Sequence, residues 1–175
     1  ALPGLFLIGG GIHFQVCPTD GLLDGTYDIL CTGEGEEPFR ALIDDYFLAG
    51  RDINVLPSIP NISWLDINGN PEQSSLKYVA DLASMPLPDY ELLDTDFYYR
   101  SNPSPAYVMF SRGCPFRCTY CFGSFKPIKP RLHRIKPLIE KMSLLHKKYG
   151  VKSFSIGEAL FFIDRLRVRE FCEMM

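Results

Sequence analysis

Apolar positions come in short runs that end in glycine, separated by stretches with helical spacing. Leu5-Phe6-Leu7-Ile8 runs into Gly9-Gly10-Gly11, the pattern of a buried parallel strand feeding a turn that backbone must approach closely. Tyr27-Asp28-Ile29-Leu30-Cys31 reads as a second strand, ending at Thr32-Gly33-Glu34-Gly35. Phe39, Leu42, Ile43, Tyr46 and Phe47 then follow the i, i+3, i+4, i+7, i+8 spacing of one helical face. Glu36, Glu37 and Pro38 suit the start of that helix and Gly50 its end. Two strands and one helix cannot close a core, so residues 1–50 read as the back half of an α/β domain whose front half is absent.

Residues 51–105 differ in character. They hold many of the prolines, and Asn68-Gly69 after Ile62-Ser63-Trp64-Leu65 is a two-residue hairpin signal. Met85-Pro86-Leu87-Pro88-Asp89-Tyr90 is held extended by its prolines. The stretch reads as a linker carrying a small hairpin. From residue 106 the apolar pattern resumes with Tyr107-Val108-Met109-Phe110, a strand. A helix is predicted from about Lys136 to Gly150, with Leu138, Met142, Leu145 and Tyr149 on one face. Phe154 and Ile156 belong to a further strand, and Asp164 caps a helix carrying Val168, Phe171, Cys172 and Met175. Strand, loop, helix, strand, helix is the pattern of a parallel sheet or barrel.

Composition narrows the function classes. With 175 residues, 46% hydrophobic and 22% charged, the chain is neither disordered, collagen-like nor a coiled coil. No apolar run reaches the length of a membrane span, and Ala1-Leu2-Pro3-Gly4 lacks the basic lead of a signal peptide. A net charge of -3 does not point to nucleic acid. Cys17, Cys31 and Cys172 are scattered, in apolar or helical contexts, and read as buried free thiols of a reducing compartment.

Cys114, Cys118 and Cys121 form CxxxCxxC; at this cysteine content chance would give roughly 0.007 such triplets. Thiolates so close on one loop can reach a single soft metal centre. Three ligands with no nearby fourth suit an iron–sulfur cubane with one iron open to a small molecule. A zinc site completed by a distant cysteine or by His133, or a redox thiol pair, are the alternatives.

At these residues the sequence resembles the radical S-adenosylmethionine (SAM) superfamily, whose signature places an aromatic before the third cysteine, here Tyr120. The resemblance implies a (β/α)6 partial barrel whose first strand is Tyr107 to Phe110. It also implies a glycine-acid element at the end of the second strand, where Ser155-Ile156-Gly157-Glu158 stands. Glu158 would take the SAM ammonium through a charge-assisted hydrogen bond; a solvated strand-end acid is the plain alternative. Gly10-Gly11-Ile12-His13-Phe14, Asp28 to Glu36, Leu87-Pro88-Asp89-Tyr90-Glu91-Leu92-Leu93, Ser111-Arg112-Gly113-Cys114-Pro115 and Tyr149-Gly150-Val151 follow in that order. This order resembles the cobalamin-binding class of radical SAM enzymes across nearly the whole chain.

That class implies the C-terminal part of a Rossmann-like cobalamin-binding domain (1–50), the linker (51–105) and the N-terminal part of a radical SAM barrel (106–175). Gly10, Gly11, Gly33 and Glu34 would lie against cobalamin, the glycines admitting its nucleotide tail. A plain turn is the alternative for each glycine. Tyr120, Gly157 and Glu158 would contact SAM, and Cys114, Cys118 and Cys121 a 4Fe-4S cluster. The implied activity is reductive cleavage of SAM to a 5′-deoxyadenosyl radical, with radical methyl transfer or related chemistry on a small-molecule substrate. The implied setting is the cytoplasm, with an external electron donor such as flavodoxin or ferredoxin. The chain departs from the pattern in several places. The loop that supplies an axial histidine in many cobalamin domains is not present, and His13 belongs to another motif and reads as structural. Glu158-Ala159 stands where paired acids are usual, and the second half of the barrel is missing, so the chain reads as a fragment.

Overall fold

Four strands form the first sheet, in the order β1-β2-β3-β4: Ile8–Gly9, Ile29–Cys31, Ile62–Leu65 and Pro71–Gln73. They are seen in a computed structural model that describes residues 4–94, 96–101, 105–124 and 128–175. Residues 1–3, part of the segment read above for a targeting signal, lie outside that set. The chain divides into two units, Ala1–Val79 and Ala80–Met175.

In the first unit β1 and β2 are parallel, and β3 and β4 add to β2 antiparallel. Side chains alternate across the pleat. Ile29, Ile62 and Trp64 therefore share one face and pack on Ala41, Leu42, Leu56 and Ile59. Leu30 faces the other way, onto Phe14 and Leu22. Phe14 comes from α1 (Ile12–Val16), a short helix that the sequence pattern does not reveal.

The expected helix at 39–50 begins earlier, as α2 (Glu36–Ala41), and continues through Leu42–Phe47 with π-helical hydrogen bonding. A wider turn slips out of a 3.6-residue stripe. Within the π-helical residues Leu42 is buried but Ile43 stays 39% exposed, and Phe39, in the α-helical part, is 55% exposed. The helix closes at Gly50 (φ 93°), after which Arg51 lays its guanidinium over the rings of Phe6 and Phe47 at 5.5 and 5.2 Å.

The hairpin at 62–73 is part of this sheet, so residues 51–79 contribute two of its strands. Its turn is not the two-residue type. Gly69 N–H donates to the Asp66 carbonyl at 3.0 Å and Asp66 N–H to the Asn70 carbonyl at 2.8 Å, with Gly69 at φ 80°. This is a three-residue loop with a glycine bulge. The Asp66 carboxylate selects it by accepting from the backbone N–H of Asn68 and Asn70 at 2.8 and 2.7 Å.

In the second unit β5 (Ala106–Val108) and β8 (Phe154–Ile156) are parallel, with α3 (Ile135–Tyr149) between them in sequence. Val108, Phe110, Ile135, Leu138 and Met142 form one core cluster and Ala106, Leu145 and Val151 another. The predicted helical face is thus the buried one, and Gly150 ends the helix in the left-handed region at φ 70°. Asp164 caps α4 (Arg165–Met174), its carboxylate accepting from Leu166 and Arg167 N–H at 2.9 and 3.2 Å. Between β5 and α3 the chain forms an antiparallel pair that the sequence reading takes as a plain loop: β6 (Ser111–Cys114) and β7 (Ile128–Leu132). Among the described residues no helix is long and apolar enough to cross a membrane.

Candidate functional site

The three clustered cysteines sit on one arm of the β6–β7 pair and the loop beyond it. Cys114 is the last residue of β6 and half-buried, whereas Cys118 and Cys121 are exposed. Gly113 shapes the arm. It lies at φ 90° in a bulge between Arg112 and Cys114, and a Cβ there would fall 2.7 and 2.8 Å from the carbonyl oxygens of Ile128 and Lys129. Only glycine fits both restrictions. Cys121 N–H donates to the Cys118 carbonyl at 2.9 Å, turning the loop back. Tyr120, between them, is 91% exposed.

All three cysteines are outside any disulfide, as are Cys17, Cys31 and Cys172. Contrary to the expected burial, Cys17 and Cys172 are exposed, on a short helix's end and on the solvent side of α4, and Cys31 is half-buried. Among the described residues no three His, Cys, Asp or Glu side chains converge closely enough to hold a metal ion. The donors therefore share a loop without being gathered. Three soft sulfur donors, two of them solvent-facing on one turn, are chemically suited to an iron–sulfur cluster.

Beside this arm stands Glu158, just beyond β8. Ser111, the first residue of β6, donates its hydroxyl to Glu158 Oε2. Glu158 Oε1 is buried and has no hydrogen-bond partner. A buried carboxylate oxygen without a donor is costly, so this atom is suited to an incoming cation or N–H group. Gly157 extends the strand register by donating to the Val108 carbonyl at 2.9 Å. A Cβ at Gly157 would lie 1.7 Å from Tyr107 Cζ; glycine here makes room for that ring.

Arg167, from the first turn of α4, braces the same region. It donates to the carbonyls of Phe110 (2.7 Å) and His133 and lies over the Phe110 ring at 5.8 Å. Burial lowers its pKa, and the carboxylates of Glu158, Glu170 and Asp164 oppose that shift. Burial, with the charges of Arg112 and Arg167 adding to it, also holds the His133 imidazole below its ordinary range against the nearby Asp81. Sequence reasoning passes over Ser111 and Arg167. Ser111 is visible only as part of the Ser-Arg-Gly-Cys string, and Arg167 looks like any charged helix residue.

The glycines of the first unit converge as well. Gly10, Gly11 and Gly33 line a cavity of about 460 Å³ with Ile8, Cys31 and Phe39. It opens at the carboxyl ends of the parallel strands β1 and β2, where α/β sheets bind ligands. Gly11 has φ 108°, a conformation that favours glycine. Gly33 answers a packing need, since a Cβ there would lie 2.7 Å from Asn61 Cγ. Burial raises the Cys31 thiol pKa; a backbone hydrogen bond with Gly33 opposes this and the Glu36 carboxylate adds to it.

Glu34 is not a lining residue of that cavity. Its carboxylate accepts from Val79 N–H at 2.9 Å and its carbonyl from Asn61 Nδ2 at 3.1 Å. Asn61, which sequence reasoning overlooks, is the buried clamp of this unit. It also donates to the Lys77 carbonyl at 2.8 Å and accepts from Lys77 N–H at 2.6 Å. His13 pairs with Asp20 at 2.6 Å on the exposed surface.

No protein-family model matches the chain. Its fold is that of the cobalamin-dependent radical SAM enzymes. The chain superposes on the cobalamin-dependent SAM radical enzyme OxsB with a TM-score of 0.76, at 20% identity over 95% of this chain and 24% of that one. For the radical SAM methyltransferase TsrM from Kitasatospora setae the TM-score is 0.69, at 16% identity over 95% of this chain and 32% of that one.

In sequence the chain is similar to an uncharacterized methyltransferase of Pyrococcus horikoshii, with 30% identity over 165 residues, 93% of this chain and 35% of the relative. It is also 27% identical, over 98% of its length, to 34% of an anaerobic magnesium-protoporphyrin IX monomethyl ester cyclase of Synechocystis. The chain thus spans about a third of the length of these curated relatives. The resemblance carried by the cysteine, glycine and Leu-Pro-Asp motifs is the one that the structural comparison returns.

Proposed function

We propose that the chain supplies the cluster and SAM end of a radical SAM enzyme, together with part of a cobalamin site. In this reading Cys114, Cys118 and Cys121 hold a 4Fe-4S cluster and leave one iron for SAM. Glu158 accepts the SAM ammonium, with Gly157 and Tyr120 contributing to the same pocket. Gly10, Gly11 and Gly33 admit the nucleotide tail of cobalamin to the first unit's cavity, and Glu34 holds the edge of its turn. When bound, the cluster supplies one-electron cleavage of SAM and cobalamin supplies a methyl carrier. The residues of this chain bind and orient those groups and limit their contact with water. The whole protein would perform radical methyl transfer or a related radical reaction on a small molecule, in the cytoplasm, with flavodoxin or ferredoxin as electron donor.

The observation that carries the reading is Glu158 Oε1, buried without a partner and tied through Ser111 to the strand that ends in Cys114. The names of the relatives and structural neighbours support it. Anaerobic reconstitution followed by iron, sulfide and zinc analysis tests it. About four iron and four sulfide per chain are expected, with loss of both in Cys114→Ala. Stoichiometric zinc without sulfide would instead favour a structural metal module.

A further inference from the structure

Ser111 joins two parts of the second unit that have separate tasks in the proposed function. It opens β6, three residues before Cys114, and its hydroxyl binds one oxygen of Glu158, the carboxylate that follows β8. The other oxygen, Oε1, is left buried and without a partner. The bond to Oε2 restricts how the carboxylate can turn and leaves Oε1 as an open acceptor.

Behind Ser111, Arg167 grips the carbonyl of Phe110 at 2.7 Å and also that of His133. Phe110 immediately precedes β6 and His133 immediately follows β7. His133 N–H donates in turn to the Phe110 carbonyl at 2.9 Å. The base of the cysteine-bearing pair is thereby closed by one backbone bond and one guanidinium. The same guanidinium lies close enough to Glu158 to feel its charge.

We infer that Ser111 is a positioning residue for ligand binding: it orients Glu158 so that Oε1 meets the ammonium of SAM. Arg167 holds the strand ends that set Ser111 in place. The inference rests on the proposed function, because it requires SAM to be the ligand. Ser111 itself touches neither cluster nor SAM in this scheme. Its removal alters the carboxylate's orientation and leaves the three thiols untouched.

The test is isothermal titration of SAM into the anaerobically reconstituted full chain, alongside iron content and thermal unfolding. Ser111→Ala should raise the dissociation constant about tenfold, as expected for losing one hydrogen bond to a charged group. Its iron content should match the parent, its melting temperature should fall by no more than the loss of one part-buried hydrogen bond explains, and Ser111→Thr, which keeps the hydroxyl, should restore the affinity. Glu158→Gln should weaken binding at least as much as Ser111→Ala. Unchanged affinity in Ser111→Ala while Glu158→Gln is weakened would overturn the role of Ser111 and leave the proposed function standing. A parent chain that carries a cluster yet binds no SAM would overturn the proposed function, and this inference with it. Weak binding that Ser111→Thr fails to restore would also overturn it, since the hydroxyl would then not be the operative group.

Discussion

At the scale of single residues, a few buried polar groups and glycines hold the sites in shape. Asn61 is 2% exposed, adopts φ 60° and satisfies backbone groups of Glu34 and Lys77. Asn61→Ala would strip those partners and place alanine in the left-handed region. A loss of about 3 kcal/mol is expected, measured by urea unfolding; Asn61→Gly should lose less because it relieves the backbone. Gly113→Ala should destabilise the cysteine-bearing pair by about 1–3 kcal/mol through its φ and its clash with two carbonyls. It should also lower the iron retained after reconstitution.

His133 gives a pH dependence whose sign follows from its environment. Its folded pKa is depressed, chiefly by burial, so the folded state binds fewer protons than the unfolded one as pH falls. The stability it contributes is fully present above the unfolded value near 6.5 and is lost as pH falls through the lower folded value. The melting temperature should therefore fall between about pH 7 and pH 5, and it should fall less in His133→Gln.

At the scale of elements, apolar periodicity was a good guide where packing follows it. The helix at 135–149 buries the face its spacing predicts, and Gly150 and Asp164 terminate and cap helices as their residue types suggest. Leu145→Ala, at a fully buried position, should cost about 2–5 kcal/mol. Asp164→Ala should cost about 1 kcal/mol through the lost cap. Both are measurable by denaturant unfolding.

Periodicity failed where hydrogen bonding, between strands or within a turn, decided the outcome. The β6–β7 pair contains Pro130 and few apolar residues, so nothing in its sequence marks a strand. Its existence rests on the partner strand and on the Gly113 bulge. The hairpin at 62–73 was legible as a hairpin, but its three-residue turn depends on the Asp66 carboxylate, which dipeptide rules ignore. The π-helical turns at 42–47 likewise break a pattern that a 3.6-residue period treats as continuous.

At the scale of the whole chain, the sequence suggests chemistry for the cysteine motif, Gly157-Glu158 and the glycine turns, and the mixed α/β fold with its parallel strand pairs is one shared with cobalamin-dependent radical SAM enzymes. Their surroundings were not legible. That Glu158 keeps one oxygen bound and the other unpartnered depends on Ser111, 47 residues away. That Gly33 serves packing depends on Asn61, and that Glu34 turns to Val79 depends on a contact across 45 residues. Such pairings arise only when the sheet has formed.

The most direct test of the central claim is electron paramagnetic resonance of the anaerobically reconstituted, dithionite-reduced chain, with and without SAM. The account predicts a cubane signal that changes when SAM is added, because an open iron held by Cys114, Cys118 and Cys121 would ligate it. A cluster signal indifferent to SAM, or zinc in place of a cluster, would contradict it.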